Sequence, residues 1–213
     1  MKKTLVIALA LTAAFGFTSC KKEKTNVVPT TSTTTPTSAT ITAFEQQSIT
    51  FTREEEKMAR DVYTTLVAKW TNMAFLNNII ASEQKHMDAV KTLLDKFNMS
   101  DPVANNGVGV FTNPDIQKLY NDLVAKGNQS ELDAIIVGLT IEDMDIYDIE
   151  KALFQVQNAD IATVYNNLAG ASKNHMREFY TQLQAKGGTY TPQYITQQEY
   201  NDIVTTPKVH GHN

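Results

Sequence analysis

The chain has 213 residues, with 19 lysines and arginines against 23 aspartates and glutamates and a formal charge of −4. That acidic balance, without a basic patch, excludes nucleic acid as an expected partner. Cys20 is the sole cysteine, which excludes an intramolecular disulfide.

At the start, Lys2 and Lys3 form a basic region, and an apolar run follows from Leu5 to Phe17. The run is too short to span a bilayer comfortably and has the flanks of a signal peptide. It ends in Phe17-Thr18-Ser19-Cys20, which resembles a lipoprotein signal whose cysteine is lipidated. Residues 1–20 are therefore expected to be a signal ending at lipidated Cys20. The protein is expected to be exported and held at a membrane by its lipid anchor, in the periplasm or at the cell surface. Residues 21–42 are rich in Thr, Ser and Pro and nearly free of apolar side chains. Such a segment cannot bury a core and reads as a disordered tether.

Residues 43–205 suit one domain, and 206–213 form a polar tail in which His210 and His212 read as chance occurrences. Four stripes keep the three-and-four spacing of amphipathic helices. They run through Ala59, Val62, Tyr63, Leu66 and Trp70; from Leu76 to Phe97; from Ile135 to Leu153; and from Ile161 to Leu183. Asn113-Pro114 is a cap and first-turn pair for a shorter helix reaching Val124, with Gly127 after it, and Ser130 can cap the third long helix. Two αα-hairpins joined by a long crossover that carries a short extra helix predict an all-α, four-helix bundle with ferritin-type connectivity. The Gly107-Val108-Gly109 stretch lacks a third glycine and a preceding strand, so it carries no nucleotide signal.

Polar residues interrupt each stripe near mid-length: Glu56 in the first, Glu83 and His86 in the second, Glu142 and Asp145 in the third, Ser172 and His175 in the fourth. Spacing by three puts each pair on one helix face. A carboxylate buried there costs several kcal/mol unless it is paired or bound to a cation. Oxygen and imidazole donors suit iron, manganese or zinc. Asp145 is read either as a further oxygen ligand or as a partner of Arg177. Glu54 and Glu55 are read as a solvated face, Arg60 and Asp61 as neighbours of the site or ordinary surface, and Met58, Met87, Met144 and Met176 as core filler. Tyr63 and Tyr165 are read as packing residues. Ala81-Ser82-Glu83-Gln84-Lys85-His86-Met87 weakly echoes Ala171-Ser172-Lys173-Asn174-His175-Met176, setting Ser172 opposite Glu83.

Glu56-Lys57-Met58-Ala59-Arg60-Asp61-Val62-Tyr63 resembles the first-helix motif of rubrerythrin-type ferritin-like proteins, and Glu83-Gln84-Lys85-His86 resembles their Glu-x-x-His. From Arg53 through Tyr194 the chain more closely resembles a bacterial and archaeal ferritin-like domain family of unknown function. The resemblance implies a dimetal carboxylate site, with iron in two positions the first choice. Glu56 and Glu142 would be single-carboxylate ligands, Glu83 the bridge, and His86 and His175 one ligand on each metal. Ser172 departs from the second Glu-x-x-His of that pattern, and Asp145 would supply the missing oxygen. The implied activity is ferroxidase or peroxide-reducing chemistry, with electrons from a separate donor and a homodimer allowed. The alternatives are a metal-stabilised bundle without turnover and a degenerate bundle serving as a binding module.

Overall fold

The structure, a computed structural model, describes residues 40–207. The signal, Cys20, most of the tether, His210 and His212 lie outside the described residues. Among the described residues there are six helices and no strands: α1 (Ala43–Lys69), α2 (Leu76–Lys96), α3 (Pro114–Gly127), α4 (Glu131–Leu153), α5 (Ala159–Ala185) and α6 (Gln197–Thr205). None of them is long and apolar enough to cross a membrane.

Local chemistry sets the helix starts. Thr42 and Glu45 form a reciprocal capping box at α1. Asn113 caps α3 ahead of Pro114, and Ser130 caps α4. α6 was not expected from the four stripes. Its signals are Thr196, with Glu199 three residues on, and the spacing of buried Tyr200 and Ile203.

The helical bundle is built from two hairpins, α1 with α2 and α4 with α5, which meet where α2 faces α5 and α1 faces α4. α3 lies against α1 and α4, and α6 against α5. The close approach of α4 to α5 depends on Gly138, because a Cβ there would collide with the ring of Phe179. That ring packs in turn on Tyr63, with centroids 5.3 Å apart.

The core is divided. One apolar cluster gathers Met58, Val62 and Leu66 with Leu76, Leu139, Ile146, Met176 and Phe179. The other gathers Ile49, Val90, Leu94, Ile149, Ile161 and Leu168. Between these two clusters, at mid-height on all four long helices, runs a belt of buried polar side chains. The four methionines singled out in the sequence fill space within or beside the core, as expected: Met58 and Met176 are fully buried, and Met87 and Met144 nearly so.

Several buried carboxylates outside this belt hold loops. Glu45 accepts hydrogen bonds from the amides of Gln157 and Asn158, which fixes the start of α5 to α1. Asp143 accepts from Tyr190 and from the amides of Gln193, Tyr194 and Ile195, docking the segment that leads into α6. Buried Asp61 pairs with Lys57 and accepts from the Gly109 amide at 2.9 Å, while Lys57 also donates to the Gly107 carbonyl. Gly109 needs its φ of +74°, which side-chain-bearing residues rarely adopt. The two glycines thus serve a loop that docks on α1.

The expectation of a solvated face at Glu54 and Glu55 is corrected. They are 3% and 2% exposed, and every residue from 52 to 59 is buried. For Glu54 the cause is the crossover before α3, which docks on α1; Glu55 instead faces Asp148 and Asp145 on α4. Glu54 accepts from the amides of Thr112 and Asn113 at 2.6 and 3.0 Å.

Candidate metal centre

Each long helix delivers one part of the cluster: α1 Glu56, α2 Glu83 and His86, α4 Glu142, α5 His175. All five side chains are buried. Glu56, Glu83 and His86 form one group of mutually close donor atoms, and Glu83, Glu142 and His175 a second, each group spanning no more than 4.8 Å. Glu83 belongs to both. Its Oε2 lies 2.8 Å from His86 Nδ1, and its Oε1 lies 2.9 Å from His175 Nδ1. His86 Nδ1 is also 3.1 Å from Glu56 Oε2, and His175 Nδ1 is 3.5 Å from Glu142 Oε2. The imidazole rings stack with centroids 5.6 Å apart. Ser82 Oγ stands 3.4 Å from the far nitrogen of His86.

The donor set fits a cation. His175 Nδ1 makes no aligned hydrogen bond despite lying 2.9 Å from Glu83 Oε1, and Glu56 Oε1 has no hydrogen-bond partner. Donor atoms that crowd together without pairing are arranged as ligands about 2.0–2.2 Å from a shared ion would be.

Electrostatics explain how the cluster persists without an ion. Burial works against a charge on His175, but Glu83 and Glu142 outweigh it and push its pKa up to about 10. His86 is raised well above the ordinary histidine range, where Glu83 and Glu56 overcome the burial penalty. Burial alone would raise Glu83, yet His175 and His86 hold it well below the carboxylate range. Burial lifts Glu56 to about 7 against the pull of His86, and lifts Glu142 despite His175. Protons therefore compete for the place of a metal. Imidazolium and protonated carboxyl groups can thus balance the buried charge that the sequence alone assigns to pairing or a cation.

Asp145 lies outside both groups. It does not pair with Arg177, which donates to the carbonyls of Ile203 and Thr206 and to Asn174. Instead Ser172 donates to Asp145 Oδ2, leaving Oδ1 without a partner. The serine that breaks the second Glu-x-x-His thus touches the carboxylate expected to compensate for it. Burial raises the Asp145 pKa well above its usual range, and Glu56, Glu142 and Glu83 add to the effect.

Two contacts were not legible in the sequence. The Tyr63 hydroxyl donates to Glu142 Oε1 at 2.5 Å, so this core tyrosine also holds a cluster carboxylate. Tyr165 meets Ser48 at 2.8 Å and Thr52 at 3.3 Å, closing the belt on its α1–α5 side. A cleft of about 290 Å³ between α2 and α5, lined by Phe75, Ile79, Ser82 and His175 among others, reaches the cluster from outside.

The profile of an uncharacterized protein domain, DUF2202, matches residues 45–207. The chain belongs to the DUF2202 family. All the cluster residues fall inside the matched region. A relative, uncharacterized protein MJ0754 of Methanocaldococcus jannaschii, is 52% identical over 169 residues, covering 79% of this chain and 91% of the relative. A crystal structure of hypothetical protein MJ0754 from Methanococcus jannaschii superposes with a TM-score of 0.79 at 48% identity, covering 83% of this chain and all of that one.

Proposed function

We propose that this DUF2202 protein is a ferritin-like dimetal protein in which Glu56, Glu83, His86, Glu142 and His175 hold two ions, iron foremost and manganese or zinc as alternatives. The observation that carries the reading is the division of Glu83 between two imidazoles. One carboxylate offers each of its oxygens to a different donor group, which is the arrangement of a bridge. Asp145 Oδ1 is the further oxygen available where Ser172 stands in place of a second glutamate.

A pair of redox-active ions held there would supply electrons to dioxygen or hydrogen peroxide, or take them from ferrous iron. The protein's own part is placement. Tyr63 fixes Glu142, the two apolar clusters keep bulk water from the belt, and the α2–α5 cleft admits a small substrate beside His175. With Cys20 the sole cysteine, this chain has no thiolate iron centre, so reducing equivalents come from a separate donor. We place the activity outside the cytoplasm on a lipid anchor at Cys20. Cys20→Ala is expected to move the protein from the membrane to the soluble fraction or to block maturation; unchanged fractionation would overturn the anchor.

The test of turnover is anaerobic loading of metal-depleted protein with ferrous iron, followed by dioxygen or hydrogen peroxide, with residual ferrous iron measured over time. The expected result is consumption faster than in protein-free buffer, lost in Glu83→Ala. Equal rates with and without protein would leave a metal-holding bundle without turnover.

A further inference from the structure

Beside the five-residue cluster lies a carboxylate that the proposed centre does not use. Glu55 is 2% exposed, and neither of its oxygens accepts a hydrogen bond. The cationic side chains nearest to it in sequence are engaged elsewhere: Arg53 with Asp101 and the Met87 carbonyl, Lys57 with Asp61 and the Gly107 carbonyl. No ion pair among the described residues includes Glu55. The charges that act on it most strongly are those of Asp148 on α4, whose carboxyl is also within hydrogen-bonding reach, then Asp145 and Glu56. A buried carboxylate that meets only other carboxyl groups, with no cation or N–H donor, is among the costliest arrangements a core can hold unless a proton or a cation is shared between them.

The register of α4 gives this arrangement a direction. Glu142, Asp145 and Asp148 follow at intervals of three, each step rising about 4.5 Å along the helix axis. Asp148 is half-buried and so open to solvent, Asp145 is buried with Oδ1 free, and Glu142 lies in the cluster. Opposite them on α1, Glu55 stands next to Glu56. The carboxylates thus descend from the surface to the centre along the α1–α4 interface, on a different side of the bundle from the α2–α5 cleft.

Resting on the dimetal reading, we infer that Glu55 and Asp148 form an outer station for a divalent cation on its way to the Glu56–Glu83–Glu142 cluster. The station offers carboxylate oxygens alone. The inner cluster adds two imidazoles, which bind iron, manganese or zinc more strongly than oxygen alone does. A cation captured at Asp148 therefore gains affinity at each step inward, while Asp145 Oδ1 supplies an oxygen between the two stations. The metal and the small substrate would arrive by separate routes.

Cobalt(II) is a suitable probe, because its visible absorption reports occupancy of the inner, imidazole-containing centre. Metal-depleted full-length protein is mixed with cobalt(II) at low ionic strength, and the rise in absorption is followed by stopped flow. Glu55→Gln and Asp148→Asn are each expected to slow loading on the order of tenfold, the scale at which a focused field raises on-rates. The final absorbance should stay unchanged. Asp148 is half-exposed, so its variant keeps the test valid should Glu55→Gln fail to fold. Wild-type loading with unaltered rates in the variants would overturn this inference alone, leaving Glu55 and Asp148 as a proton-sharing pair. Wild-type protein that takes up no cobalt would contradict the dimetal reading and this inference with it.

Discussion

His86 and His175 sit on different helices, and each turns its Nδ1 toward a different oxygen of Glu83, at 2.8 and 2.9 Å. In the metal-free state protons on the two imidazoles hold these contacts through charge attraction to Glu83. Any ion that enters must displace them.

The first expectation concerns pH. In metal-free protein His175 titrates near 10 rather than 6.5, and Glu56 near 7 rather than 4.5. Both shifts are upward, so the folded state holds more protons than the unfolded one across those intervals. The stabilisation from His175 is full below 6.5 and is lost as pH rises through 10. The penalty for ionising Glu56 is absent below 4.5 and grows until about 7. Metal-free stability should therefore decline as pH rises, while apparent metal affinity increases about tenfold per pH unit for each proton displaced. Titration calorimetry in buffers of different ionisation enthalpy counts those protons. A dissociation constant unchanged from pH 6 to 9 would contradict this account.

Tyr63 offers a second test. Tyr63→Phe keeps the ring that packs on Phe179 but removes the donor to Glu142 Oε1. Leaving that buried oxygen unsatisfied should cost about 1–3 kcal/mol in metal-free protein. Saturating metal should shrink the deficit, because Glu142 then has another partner. Denaturant unfolding with and without metal measures both. An equal deficit in the two states would reduce Tyr63 to a packing residue.

Glu54 separates loop anchoring from metal binding. Glu54→Ala removes the acceptor for two amides ahead of α3 and should cost about 1–3 kcal/mol. Metal stoichiometry should be unchanged, since this carboxylate faces the crossover rather than the belt. Unaltered stability would restore the solvated-face reading.

The long helices were legible because their apolar stripes are regular, and the polar belt because it interrupts those stripes at matching heights. Glu54, Glu55 and Asp61 were misread for a specific reason. Helical periodicity marks one buried face, but Glu54 and Asp61 are covered by a loop whose path no spacing rule specifies, and Glu55 by its approach to Asp148 and Asp145 on α4. Asp143 shows the same limit. It follows Glu142 directly, yet it holds the amides of residues 193–195, a contact between segments far apart in sequence. The hydroxyl contacts of Tyr63 and Ser172 likewise depend on the rotation of one helix against another. α6 could have been found from Thr196, Glu199 and the spacing of Tyr200 and Ile203.

Metal stoichiometry tests the central claim most directly. Protein purified without chelators, or reloaded anaerobically with ferrous iron, is measured by elemental analysis alongside Glu83→Ala. The expected result is two ions per wild-type chain and less than one in Glu83→Ala with helical content preserved, because both donor groups lose their shared ligand. Wild-type protein that stays metal-free after loading, or a Glu83→Ala variant that retains both ions, would contradict the account.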